Sequence, residues 1–443
     1  MSNPYESPSS HIDKSLSAKG RWLERLGDKK HVIICIVDQG VVSVAGFVTS
    51  ILIGRHAAAE LGVYYIALSI VLFVKGIQQQ VLLTPYTIYQ QQFESTRQDE
   101  YRGSCVIQYA VLMFLAMAFI TCQAICALLG FGTPASIPVL LFLIALAPML
   151  MLREAARHYC FTHMRNISAL MIDSAISILQ IGAISVLGIL GWLSGATAWC
   201  VIGLVSILVV IIWQFQTGPK IVFNKISIRD DWWKNWSFGK WAVGGQIVGS
   251  LPTYLLPWIL ASAVGDVGTG LFAAGMTLVG LANILNVGMA NFLTPKATMV
   301  YAEKGRAGLQ KILIEMGLLY ILMLGSLVIL VTFFGDWVIQ SLYGPAYAGL
   351  KSVMILLAIA KVFESLSLVA TSGLVVMEKI KANFVIDIFL MIVTLTAAVS
   401  LVFPFGIIGA AWTVTISVIF GSSMRLLVLT RYLVSDTKQE QPE

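Results

Sequence analysis

Apolar residues run along this chain in long blocks separated by short polar gaps. Twelve blocks stand out, at roughly 32–53, 61–83, 104–128, 137–152, 168–190, 195–214, 240–262, 269–293, 311–334, 352–376, 382–403 and 406–428. Most approach the ~20 residues that a helix needs to cross a hydrocarbon core ~30 Å thick. Backbone amides find no water in lipid, so each block is predicted to be a helix. The fourth is short and carries Pro138 and Pro148, which predicts a kinked or tilted span. Residues 1–31 and 429–443 read as polar tails, the first disordered, and 215–239 as a linker. No small-residue cleavage site follows the first block, so no cleaved signal peptide is predicted.

The basic residues test this topology. With the N-terminus in the cytosol, all of the 29 Lys and Arg fall in cytosolic segments except Arg55, Lys351 and the intramembrane Lys75 and Lys361. That is the positive-inside rule obeyed at every loop, and it requires an even number of spans with both termini cytosolic. The outer loops are small. The one between the fifth and sixth spans is Gly191, Trp192, Leu193 and Ser194, and the largest runs from Gly335 to Lys351. Little chemistry fits on that side.

Composition agrees. Of 443 residues, 58% are hydrophobic and only 12% charged, about half the ~25% of a soluble domain. A soluble enzyme or nucleic-acid binder is excluded. The net charge of +6 is spread over the loops and forms no single basic patch. The six cysteines make no CxxC pair and read as buried thiols. His158, Cys160 and His163 point in different directions on a helix, so no metal site is predicted. There is no Walker A motif, GxSxG or HExxH, and no cofactor is expected.

The chain also repeats itself. The stretch from His163 to Asp173 parallels that from Met377 to Asp387 at an offset of 214, and Gly195-Ala196 falls on Gly409-Ala410 at the same offset. Leu83-Thr84-Pro85 matches Leu293-Thr294-Pro295 at 210. Two six-span halves follow, 32–214 and 240–428. Six is even, so both run in the same sense, and transporters built this way place substrate between the halves. The linker holds Trp232, Trp233 and Trp236 beside charges, which suits the headgroup layer.

Three stretches carry a resemblance. The first is Gly373-Leu374-Val375-Val376-Met377-Glu378-Lys379, followed after an apolar span by Phe405-Gly406-Ile407-Ile408-Gly409-Ala410-Ala411-Trp412. The second is Phe47 to Arg55 followed by Leu61-Gly62-Val63-Tyr64-Tyr65, and the third is Leu342-Tyr343-Gly344-Pro345-Ala346-Tyr347. Together they resemble the polysaccharide-export branch of the multidrug/oligosaccharidyl-lipid/polysaccharide (MOP) flippase superfamily. The resemblance implies an all-α membrane protein of twelve helices in two parallel six-helix lobes around a central cavity. It also implies alternating access for a lipid-linked oligosaccharide in the cytoplasmic membrane, beside glycosyltransferases and a polysaccharide polymerase.

The intramembrane charges are the candidate chemistry, because each costs about 2.5–3.5 kcal/mol at the bilayer centre. Asp38 and Lys75 sit at similar depth, either as a structural pair or with one facing the cavity. Lys361 and Glu364, spaced i,i+3, are a self-neutralising pair or a diphosphate-binding Lys moderated by its neighbour. Arg153, Arg157 and Arg165 are topological anchors or a loading site for diphosphate at the cytosolic mouth. Asp173 and Asp387 open equivalent helices and suit the helix dipole. Pro252 and Pro257 should kink the seventh span, as static packing or as a hinge. Asp38 and Glu364 are candidate ion couplers. Two other readings stand beside the flippase. A cation-coupled multidrug exporter would favour acids over Lys in the cavity. A membrane-embedded polymerase or ligase would need a sizeable outer loop.

Overall fold

The computed structural model describes residues 18–130, 133–219, 222–223 and 225–435. They form eleven α-helices: α1 (Ala18–His56), α2 (Ala58–Gln78), α3 (Thr84–Gln90), α4 (Ser95–Leu128), α5 (Ser136–Thr162), α6 (Asn166–Ile189), α7 (Gly195–Thr217), α8 (Lys225–Gly280), α9 (Asn283–Tyr343), α10 (Lys351–Val376) and α11 (Ile380–Ser435). A π-helical turn, Gln79–Leu83, joins α2 to α3 so that the chain stays helical from Ala58 to Gln90. Ten helical stretches among the described residues are long and apolar enough to cross a membrane. Their outward faces are apolar too: Phe114, Ile178 and Phe333 are 69%, 72% and 75% exposed. In water such faces would drive aggregation; in lipid they are the solvated surface.

Three of the ten stretches are 53, 51 and 54 residues long. At 1.5 Å per residue each would extend ~75–80 Å if straight, far beyond a ~30 Å core. Each is interrupted by one left-handed glycine: Gly265 in α8 (φ 72°), Gly305 in α9 (φ 59°) and Gly406 in α11 (φ 57°). Only a residue without Cβ adopts that region cheaply. At each of these glycines two helical segments meet end to end across a kink. The eighth block is divided instead between the end of α8 and the start of α9, across a turn at Leu281 and Ala282.

Several boundaries need correction. The helix of the first span starts at Ala18, so the predicted disordered tail is helical from that residue; residues 1–17 lie outside the described residues, as do 436–443. α11 runs on through Ser435, past the predicted start of the second tail. The linker is not separate from the seventh span, because α8 begins at Lys225 and continues through Pro252 and Pro257 with helical torsions to Gly265. The break lies at the glycine, not at the two prolines predicted as a hinge. The fourth block, despite Pro148, is a single 27-residue helix.

The internal repeat is repeated in geometry. Met164 and Glu378 both have positive φ, 56° and 61°. Each follows a helix end closed by the same pair of bonds: Arg165 N–H to Cys160 O at 2.8 Å with Met164 N–H to Phe161 O at 3.1 Å, and Lys379 N–H to Leu374 O at 2.8 Å with Glu378 N–H to Val375 O at 2.9 Å. This is the Schellman closure, built here without its usual glycine.

Packing follows chain order. α5 lies against α4 and α7, and α6 against α1; α10 lies against α9 and α11, and α11 against α8. The two sets meet chiefly where α2 crosses α8. There a Cβ on Gly62 would stand 2.0 Å from Asp266 O, and one on Gly270 1.7 Å from Ala58 O. Backbones touch, as at small-residue crossings in membranes. Around this point, at the end that the charge pattern predicts to be outer, Arg55 donates to the carbonyls of Ser341 and Leu342, both at 2.6 Å. Ser50 meets the Tyr343 hydroxyl at 2.6 Å, the Tyr347 hydroxyl donates to Gly54 O at 3.0 Å, and Thr133 donates to Asp266 at 2.8 Å. One methyl group should undo this closure. Gly270→Ala is expected to lower the thermal midpoint in detergent by several degrees, whereas Gly280→Ala, whose Cβ would meet open space, should leave it unchanged or slightly raised because alanine is the better helix former.

Candidate functional site

Apart from the Asp387–Arg425 pair, the intramembrane charges nominated from sequence lie in two groups. In the first, α1, α2, α5 and α6 bring together three acids and three bases. Arg157 donates to Asp38 at 2.6 Å, and its Nε lies 2.5 Å from Asp173. Arg153 holds the other Asp173 oxygen at 2.8 Å. Lys75 pairs with Glu154 at 3.0 Å, and Glu154 lies 3.8 Å from Arg157. The cluster is formally neutral. Asp38 and Asp173 are fully buried, which hydrocarbon permits only for carboxylates so matched.

This revises the sequence pairing. Asp38 and Lys75 do not pair with each other; each takes a partner from α5. Glu154, which sequence reasoning passed over, is the partner of Lys75. Asp173 lies two turns into α6, beyond the reach of the helix dipole, and Asp387 sits at the same depth in α11. Asp387 pairs with Arg425, which also donates to Ser367 at 2.9 Å. Nor do the three arginines form one mouth. Arg153 and Arg157 are engaged by carboxylates, while Arg165 donates to Thr217 O at 3.1 Å and lies over the Tyr159 ring. Among the described residues no group of His, Cys, Asp and Glu is arranged to hold a metal. His158 instead bonds Thr87 at 2.6 Å, and His163 stacks on Tyr159.

The second group is on α10. The Lys361 ammonium donates to Glu364 at 2.6 Å and to the side-chain oxygen of Asn283, at the start of α9, at 2.8 Å. One turn on, Ser365 donates to Asn286 at 2.6 Å.

A cavity of about 380 Å³ lies between the two groups, walled by α1, α2 and the region where α8 meets α9. Its polar lining is neutral, Gln39, Ser43, Ser50, Tyr64, Tyr65, Thr277 and Asn283, set among apolar residues such as Phe47, Leu61 and Met276. Among the described residues no carboxylate lines it. Two of these residues are in contact with partly buried cations. Asn283 accepts from Lys361, and Gln39 lies 3.5 Å from an Arg157 nitrogen. Of the residues nominated from sequence, Lys361 and Arg157 thus each stand behind a lining amide. Asp38 neighbours Gln39 but turns to Arg157. Lys75, Glu364 and Arg153 are not among the lining residues. Sequence reasoning weighed charges and so missed Gln39, Thr277 and Asn283. The signal was there, since uncharged amides within apolar spans need polar partners too.

No protein-family model matches the chain, and no curated protein does. Solved structures do. An inward-facing multidrug resistance MATE family transporter of the MOP superfamily aligns over 90% of this chain and 96% of its own, with 14% identity and a TM-score of 0.74. An outward-facing structure of such a transporter gives 0.60, at 14% identity over 92% and 95%. The lipid II flippase MurJ in an inward closed conformation gives 0.70, at 12% identity over 93% and 94%.

The ion pairs differ in what breaking them should cost. Asp173→Asn leaves two arginines facing one fewer charge in a buried site and should cost about 3–5 kcal/mol. Lys75→Gln, in a pair 21–26% exposed, should cost well under half of that. Thermal unfolding of the two variants in detergent checks the order. The chain is a multi-pass, all-α membrane protein with the fold of the MOP superfamily transporters.

Proposed function

We propose that the chain is a flippase. It would carry a polyprenyl-diphosphate-linked oligosaccharide from the cytosolic to the outer leaflet for polysaccharide synthesis. One observation supports this above the rest: the polar part of the cavity lining is neutral amides and hydroxyls set among apolar side chains, no carboxylate is among its described lining residues, and two of the amides, Gln39 and Asn283, each contact a partly buried cation. Hydroxyls and amides suit sugars, and cations screened by an amide attract a phosphate without holding it fast. At about 380 Å³ the cavity is near the small end of ligand pockets, roughly 300–1,000 Å³. It would take the diphosphate and the first sugar rather than a whole glycan. The likeness to the lipid II flippase MurJ supports a lipid-linked cargo.

In this reading the left-handed glycines divide the long stretches into paired segments. The end of α8 and the start of α9 together make one crossing, so the six segments of the three long stretches give five spans and, with the seven other stretches, twelve, in two parallel six-helix lobes with both termini in the cytosol. The glycine contact of α2 with α8 seals the outer side, and separation there would release cargo outward. Lys361 and Glu364 remain together as a site that cargo phosphate competes for. Glu364, 45% exposed at its side chain, is better placed than the fully buried Asp38 to exchange an ion with solvent.

A second reading is favoured by the MATE likeness: export of cationic drugs. The two predict opposite outcomes. Lys361→Ala in the native host should reduce surface polysaccharide at least about tenfold, equivalent to ~1.4 kcal/mol or more of lost stabilisation, with drug tolerance unchanged. Unchanged polysaccharide with raised drug sensitivity supports the exporter. Topology is checked by reporter fusions. A reporter after Ser435 should be active only as a cytosolic one, and one inserted at Trp192 only as an outer one.

A further inference from the structure

A second hollow of about 440 Å³ opens between α4 and α7. α5 packs against both of these helices, while they share no extended packing with each other. α5 is therefore the floor and α4 and α7 are the walls. The walls are apolar, with Val106, Ala110 and Met113 facing Ile207, Val210 and Ile211. Val106 and Ile211 are 41% and 45% exposed, so the groove is open along its side to the surroundings of the bundle, which for this fold are lipid. It shares no lining residue with the cavity, and neither α1 nor α8 contributes to it.

The charge of the lining is at one end. There Arg102, also paired with Asp99, is the cation of the lining, and Arg165 lies over the Tyr159 ring, which also lines the groove. Tyr86 and Trp213 complete that end, and the Tyr86 hydroxyl and Trp213 indole nitrogen are both buried without a hydrogen-bond partner. A buried donor left alone costs about 1–3 kcal/mol. Two of them on one apolar groove point to an acceptor supplied from outside the protein. From Arg102 to Met113 the helix rises ~16 Å, about half of a ~30 Å hydrocarbon core. The groove thus begins with charge and aromatic donors at headgroup depth and continues as hydrocarbon wall.

We propose that this groove holds one hydrocarbon chain of an anionic membrane phospholipid. The phosphate lies against Arg102 and Arg165, and its ester carbonyls accept from Tyr86 and Trp213. The polyprenyl tail of a cargo is a poorer occupant, because its diphosphate would be in a cavity walled by other helices. The assignment depends on the membrane fold and not on what the cavity carries.

The test is native mass spectrometry of the full chain purified in mild detergent. Wild type should retain one phospholipid per chain after mild activation. Ala110→Trp combined with Val210→Phe fills the groove and should reduce that retention by about tenfold. Arg102→Gln should weaken retention of phosphatidylglycerol more than that of phosphatidylethanolamine. Equal retention by the folded filled-groove variant overturns the proposal, and so does a bound mass that proves to be a polyprenyl phosphate. Should the filled variant fail to fold, fluorescence decides. In nanodiscs with brominated phosphatidylglycerol, wild type should be quenched more than Trp213→Phe, and equal quenching overturns the assignment.

Discussion

A charge placed in hydrocarbon must be matched where it stands, and this constraint arranges the interior of the bundle. Three acids and three bases from four helices close into the neutral cluster around Arg157. Asp387 and Arg425 repeat the solution in the second half, and Lys361 with Glu364 makes a third case. Because the pairs are made between helices, they fix which helix faces which. α1, α2, α5 and α6 cannot slide past one another without exposing a carboxylate to lipid. The cavity inherits its character from this arrangement. With the nearby acids already engaged, the polar part of its wall is left to amides and hydroxyls, and among the described residues the cations contact it through Gln39 and Asn283.

The same economy shapes the contact between halves. Polar pairs within each half are strong, but at the predicted outer end the halves meet through the glycine backbones of α2 and α8 and through a few hydrogen bonds that Arg55, Ser50 and Tyr347 make between α1 and the chain at the end of α9. At the α2–α8 crossing itself the contact is backbone against backbone, and such a contact tolerates little intermediate separation. That suits a switch between two arrangements better than a graded deformation. The groove between α4 and α7 lies away from this interface, where a resident lipid brings order to one half without opposing movement between the two.

The spans were legible because their cause is one-dimensional. Hydrocarbon thickness and the absence of water act on consecutive residues, so apolar length and basic loops reveal crossing segments. The repeat was legible for the same reason, and its two Schellman closures show that the matching words encode matching turns. What sequence concealed is what depends on side-by-side placement. Asp38 looked like a partner for Lys75 because both lie at one depth, yet depth does not tell which helix stands adjacent. The prolines looked like the break in α8, but proline inside a lipid-facing helix loses one hydrogen bond and persists, whereas Gly265 takes a left-handed torsion that turns the chain. Gln39 and Asn283 drew no notice because neutral amides carry no formal cost, although the cavity is theirs.

The most direct test is translocation itself. The purified chain is placed in liposomes with a fluorescent polyprenyl-diphosphate oligosaccharide in the inner leaflet, and arrival of the sugar outside is followed with an impermeant lectin or glycosidase. The account predicts transfer that depends on the protein, slows when Asn283 is replaced by Asp so that an acid enters the cavity wall, and leaves plain phospholipid distribution unaltered. Absence of glycan transfer by folded protein that instead moves an organic cation across the same membrane contradicts it.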